Sequence, residues 1–206
     1  MINKLPIVVI GTSPRCGSTA YMSLLSLGLG LPAFSEPWSF GMYKEKEKAN
    51  GYLKYLDYRQ KSKKYIVKFW ITQLDHRSPY HEDMKTGYKI LLQRRDIVGQ
   101  IASWYIAEQT NNWSNNNNKM TQTYSVKIDK FKISQIIEQV TTASFYAENC
   151  DIFHKRVYYE DVDFSALPIE YFQKTKQPEN ITEIRQEIES QMRDIIPTHW
   201  KSKNFE

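Results

Sequence analysis

Cysteine is scarce in this chain. Its 206 residues include two, Cys16 and Cys150, far apart and in no pairing or metal-ligand spacing. That excludes a disulfide framework and makes a reducing cytosol the expected compartment. Long apolar runs are missing too: none approaches the ~20 residues a membrane helix needs, so no membrane span is expected. The chain enters an apolar strand pattern within a few residues of Met1, and no signal peptide is expected. Glycine and proline, eight each, are too few and scattered for a collagen-like or low-complexity chain, and no internal repeat occurs. The net charge of +5 is mild and its basic residues are spread out. The densest group, within 59–64, reads as a solvated helix end, so no nucleic-acid partner is expected. The four histidines do not converge with other ligands, and no metal site is expected.

What remains is an ordinary globular composition, 41% hydrophobic and 25% charged, with aromatics generous at 14%. The length suits one domain, 1–206. Residues 5–11 form a compact β-branched run bounded by Gly, Ser and Pro, as in a strand buried on both faces. A helical pattern follows over 18–29 and ends at Gly28, Gly30 and Pro32. Further strands are expected over 65–71, 88–93 and 156–159, and helices over 97–109, 135–147 and 179–195. The polar stretch 111–119 reads as an exposed loop. Strands separated by helices predict an α/β chain: a P-loop-like three-layer fold whose central parallel sheet of four or five strands is flanked by helices.

The segment "GTSPRCGST", Gly11–Thr19, lies between the first strand and the first helix. A turn in that place aims backbone N–H groups at one point, where the helix dipole adds to them, making an anion site. Gly17 permits close approach, and Ser18 and Thr19 add hydroxyl donors. The lysine of a nucleotide-triphosphatase loop is absent: Ser18 occupies its place, the glycine spacing is one residue too long, and the nearest cation is Arg15. Kinase or ATPase chemistry loses the group that neutralises the β- and γ-phosphates. A second polar group follows the third strand. Arg95 and Ser103, about two helical turns apart, suit recognition of another phosphate at the carboxyl end of the sheet. Cys16 lies inside the loop as a small filler.

Together these segments resemble the sulfotransferases that use 3′-phosphoadenosine 5′-phosphosulfate (PAPS). "SPRCGST" is similar to that family's 5′-phosphosulfate loop, and Arg95 with Ser103 to its 3′-phosphate site. "RRDIVGQIASWYIAEQTNNW" is most similar to the bacterial trehalose 2-sulfotransferase type, and "VKFWITQL" and "VYYEDV" follow the family in order. The resemblance implies transfer of a sulfuryl group from PAPS, leaving PAP, to a hydroxyl of an acceptor, a carbohydrate or glycoconjugate, with no metal required. The cytoplasmic location is the one expected above from the cysteines, and a homodimer stays open, with loops exchanged in the Asn-rich stretch. The resemblance also implies that Arg15, Cys16, Gly17, Ser18 and Thr19 hold the 5′-phosphosulfate, with Arg15 on the leaving phosphate. Arg95 and Ser103 would hold the 3′-phosphate, and Lys68 would touch the transferred group. Animal cytosolic members carry a histidine two residues after that lysine; here Trp70 stands there. The trehalose type points instead to Glu36 as base, with His76 in reserve. The family's closing Arg-Lys-Gly segment has no match, and Arg185 and Arg193 are the cations available near it. A P-loop nucleotide kinase or NTPase, and a PAP- or PAPS-binding protein without catalysis, stay open as alternatives.

Overall fold

The computed structural model describes residues 6–37, 46–61, 64–73, 81–113, 123–168 and 177–195. In chain order the elements are β1 (Ile7–Gly11), α1 (Ser18–Leu29), β2 (Ala33–Ser35), α2 (Lys46–Gln60), β3 (Ile66–Trp70), α3 (His81–Thr86), β4 (Tyr88–Gln93), α4 (Ile97–Thr110), α5 (Lys130–Glu148), β5 (Lys155–Tyr158) and α6 (Ile181–Ile195), with short 3-10 turns at Ile71–Gln73 and Tyr159–Asp161. The chain divides into two compact units. The first takes residues up to Gln93 together with Ala143–Leu167; the second takes Arg94–Thr142 and residues from Pro168 onward.

The first unit is built on a five-stranded sheet, ordered β2-β3-β1-β4-β5 and parallel throughout. β1 lies in the middle, with Gly11 in register with Trp70 of β3 on one side and Leu92 of β4 on the other. A strand so placed is covered on both faces, which is why its sequence is uniformly apolar rather than alternating. Val8, Ile10, Val67, Phe69 and Leu91 point to one face, where they pack with Tyr55 of α2 and with Ala143 and Ala147 at the end of α5. Lys68 points to the other face and reaches Thr19 of α1. Helices on both sides of an all-parallel sheet give the three-layer α/β arrangement expected from the sequence.

The second unit is helical. Ile97, Ile101, Trp104 and Tyr105 of α4, Ile133, Ile136, Ile137 and Val140 of α5, and Ile184, Ile188 and Met192 of α6 form its core. The spacing on α6 is that of a helix with one apolar stripe. The Asn180 side chain accepts from the Val126 N–H at 3.1 Å and donates to the Val126 carbonyl at 2.7 Å, pinning the extended approach to α5. Among the described residues no helix is long and apolar enough to cross a membrane.

Three elements lie where the sequence pattern names none. β2 follows the Gly/Pro end of α1, and α2 precedes β3. The third is α3, just before β4, where Asp83 is 2% exposed. Asp83 accepts from the Tyr55 and Tyr65 hydroxyls, the latter at 2.7 Å, and pairs with Arg59 Nε at 3.4 Å. The basic group ending α2 is thus partly inside. Burial first, and the bond to Asp83 second, push the Tyr65 phenol far above its usual range.

Candidate functional site

The candidate site begins where β1 ends. Beyond Gly11 the chain is held by the Thr12 N–H, which donates to the Leu92 carbonyl at 3.2 Å, and by the Cys16 N–H on the Ser13 carbonyl at 3.4 Å. Thr12, Ser13, Cys16 and Ser18 are buried. Arg15 and Gly17 take positive φ, 64° and 88°, reversing the chain within a few residues. Gly17 is the N-cap of α1 and provides no side-chain acceptor, and no acidic residue lies in the first helical turn. The leading N–H groups of α1 are therefore not claimed by a capping side chain, the condition under which a helix start receives an external anion. α4 is different: Asp96 caps it, accepting from the Gly99 N–H at 2.8 Å.

Glu36 follows β2 directly. Its N–H donates to the Lys68 carbonyl at 2.9 Å, carrying the ladder one residue past Ser35. Its φ is 47°, an uncommon conformation for a residue with a side chain. Its carboxylate meets Lys68 Nζ at 2.5 Å. Lys68 is 2% exposed and Glu36 17% on their side chains, so the lysine is the more deeply buried partner. The same ammonium donates to Thr19 Oγ1 at 3.2 Å and lies 4.1 Å from the centroid of the Trp70 ring. An ammonium has three N–H donors, and a carboxylate, a hydroxyl and an aromatic face stand around this one. Because Thr19 Oγ1 accepts from Lys68, its own hydroxyl hydrogen is turned to other acceptors.

Lys68 therefore brings together two sequence-predicted residues far apart in the chain, Glu36 and Thr19 at the end of the Gly11–Thr19 loop. Arg95 and Ser103 belong to the second unit. Arg95 is exposed, just ahead of α4, and Ser103 is half-buried. Beside them Asp96 pairs with Arg94 at 3.6 Å and with Arg185 of α6 at 3.3 Å, so one of the two late arginines joins this group. His76, the reserve base, lies outside the described residues.

Two neighbours of the loop carry no role in the sequence reading. Trp70 lies so close to Gly11 that a Cβ there would come within 2.6 Å of its Cζ3. Tyr159, following β5, covers Gly17: a Cβ on residue 17 would come within 2.1 Å of its Cδ2, and its ring lies tilted against Phe164 with centroids 5.0 Å apart. The available signal was their place, an aromatic at the carboxyl end of a parallel strand, where open α/β sheets collect ligands.

Neither a family model nor a curated protein matches the chain. Among solved structures it is similar to an uncharacterized protein from Eubacterium ventriosum ATCC 27560, with a TM-score of 0.37 and 8% identity, over 75% of this chain and 88% of that one.

Proposed function

We propose that this protein is a PAPS-dependent sulfotransferase acting on a hydroxyl acceptor, a carbohydrate or glycoconjugate, in the manner of the bacterial trehalose 2-sulfotransferase type that its motifs resemble. One observation carries the reading beyond resemblance. Among the described residues, three non-glycine positions have positive φ: Arg15, Glu36 and Asn111. Asn111 is the C-cap of α4, an ordinary place for that conformation. The other two are the residues that sequence reasoning names as leaving-group cation and base. Non-glycine residues in this region cost about 1–3 kcal/mol each and gather at active sites, where the surroundings hold them in place.

In this reading the loop N–H groups and the Ser18 and Thr19 hydroxyls hold the 5′-phosphosulfate. The Glu36 carboxylate has one oxygen on Lys68 and its second for the acceptor proton. As that proton leaves, the acceptor oxygen bonds to sulfur and the bond from sulfur to the phosphate oxygen breaks. The charge released on PAP falls to Arg15 and the start of α1, positioned in advance as electrostatic catalysis requires. The resemblance assigns the 3′-phosphate to Arg95 and Ser103; Arg185 pairs with Asp96, the residue after Arg95, at 3.3 Å. A cytoplasmic location and a homodimer belong to the same proposal.

Ligand-dependent thermal stability tests it. A ligand at about 100 times its Kd stabilises by roughly 2.7 kcal/mol, or about 5–11 °C for a chain of this length. The expected result is a shift of that order with 3′,5′-ADP in the absence of magnesium, and much smaller shifts with 5′-AMP or ATP. Arg95→Ala should abolish the preference for the 3′-phosphate while the melting point of the ligand-free protein stays within a few degrees. Equal shifts from ATP and 3′,5′-ADP would refute the assignment and favour a nucleotide kinase or NTPase.

A further inference from the structure

Lys68 joins the anion loop to the candidate base, and an aromatic ring holds it there. Its ammonium has left bulk water, which is costly unless each N–H finds a partner. Glu36 at 2.5 Å and Thr19 at 3.2 Å account for two, and the indole of Trp70, 4.1 Å away at its centroid, receives the third side. The ring is held in turn. Trp70 pairs with Gly11 across β1 and β3, its six-membered ring occupies the space a Gly11 side chain would need, and its backbone N–H, at the end of the strand, donates to Gln73 Oε1 at 2.9 Å. One path of contacts thus runs from Gly11, where the loop starts, through Trp70 and Lys68 to Thr19, where it ends, and to Glu36.

We propose that Trp70 is a positioning residue: its indole face fixes the Lys68 ammonium between Thr19 and Glu36, so that loop and base keep one geometry. The catalytic part of this inference rests on the sulfotransferase reading; the hold of Trp70 on Lys68 does not. A leucine at position 70 would fill part of the volume but offer no π face. Lys68 would then turn toward water and Glu36 would lose its orientation. A desolvated cation–π contact corresponds to about 10- to 30-fold in an equilibrium constant.

The test joins a stability cycle to turnover. Urea unfolding of the wild type, Trp70→Leu, Lys68→Met and the double variant should show the Trp70→Leu penalty in the folding constant about 10- to 30-fold smaller once Lys68 is gone. Trp70→Phe, which keeps a ring face, should retain most of the coupling. An equal penalty in both backgrounds would make Trp70 ordinary packing and overturn the proposal. PAP formation from PAPS, with trehalose as probe acceptor and water in its absence, gives the second readout. Trp70→Leu should lower kcat about tenfold or more with 3′,5′-ADP affinity changed by less than about twofold, and Trp70→Phe should recover most of it. Loss of 3′,5′-ADP affinity in step with kcat would count against a positioning role. A wild type that binds no 3′,5′-ADP would refute the sulfotransferase reading and with it the catalytic role, while the stability cycle would still decide whether Trp70 holds Lys68.

Discussion

Neutralising either partner of the Glu36–Lys68 pair should have unequal consequences, because the partners are unequally buried. At 2% exposure Lys68 has almost no recourse to water, whereas Glu36, at 17%, keeps some. Removing one member of a buried pair costs about 3–5 kcal/mol when the survivor is left uncompensated. In Glu36→Gln the survivor is the lysine, which retains an amide oxygen, the Thr19 hydroxyl and the Trp70 face, so a cost of about 2–3 kcal/mol is expected. In Lys68→Met the survivor is the more exposed carboxylate, and methionine fills most of the vacated volume, so about 1–2 kcal/mol is expected. The double variant leaves no unpaired charge and should resemble Lys68→Met alone, a coupling as large as the Glu36→Gln cost, about 2–3 kcal/mol, between adjacent sites. Urea denaturation of the four proteins at pH 7 measures all three quantities. Lys68→Met costing as much as Glu36→Gln, or strictly additive effects, would show that burial of the ammonium does not govern this pair.

Gly17→Ala puts a side chain at φ 88° beneath the Tyr159 ring. Backbone and overlap together should cost about 2–4 kcal/mol and abolish stabilisation by 3′,5′-ADP, and adding Tyr159→Ala should restore part of the stability but not the binding. At alkaline pH Tyr65 provides a signature. Its folded-state pKa is raised, chiefly by burial and then by the Asp83 bond, above a reference of 10.0, so its contribution is complete below pH ~10 and is lost at higher pH as the unfolded phenol ionises first. Tyr65→Phe should cost roughly 1.5–3 kcal/mol at pH 7, through the lost bond to a carboxylate, and should make the fall in stability above pH ~10 shallower by up to about 1.4 kcal/mol per pH unit, as urea titrations at pH 9, 10 and 11 would report.

How much of this was legible in the sequence depended on how local its causes are. β1 announces itself because a strand buried on both faces needs uninterrupted apolar residues, β4 through its apolar centre Ile90–Leu92, and α1 because Gly17 and Gly30 bracket it. β2 has three residues, none buried, and little periodicity to read. α2 contains Gly51 and many charges, and its role emerges only where Tyr55 meets Tyr65 and Asp83. The Gly11–Thr19 loop was readable as one contiguous piece. The Glu36–Lys68 contact required the β2–β3 register, which places Ser35 opposite Lys68 and which no single segment encodes. Trp70 was noticed for the histidine it replaces, whereas its contact with the ammonium depends on the absence of a side chain at Gly11.

The pairing of β5 with β4 carries a consequence for synthesis. Ile90 is in register with Lys155, and the whole of Arg94–Thr142 is translated between them. At about 5–20 residues per second, those roughly fifty residues occupy the ribosome for some 3–10 s. Collapse of a nascent chain this size takes under a millisecond. Until β5 arrives, β4 lacks its partner on that edge, and any sheet formed by then offers it to another chain's strand. Pauses within Arg94–Thr142 lengthen that exposure, and changes that slow the arrival of β5 will appear as lost yield before they appear as lost stability.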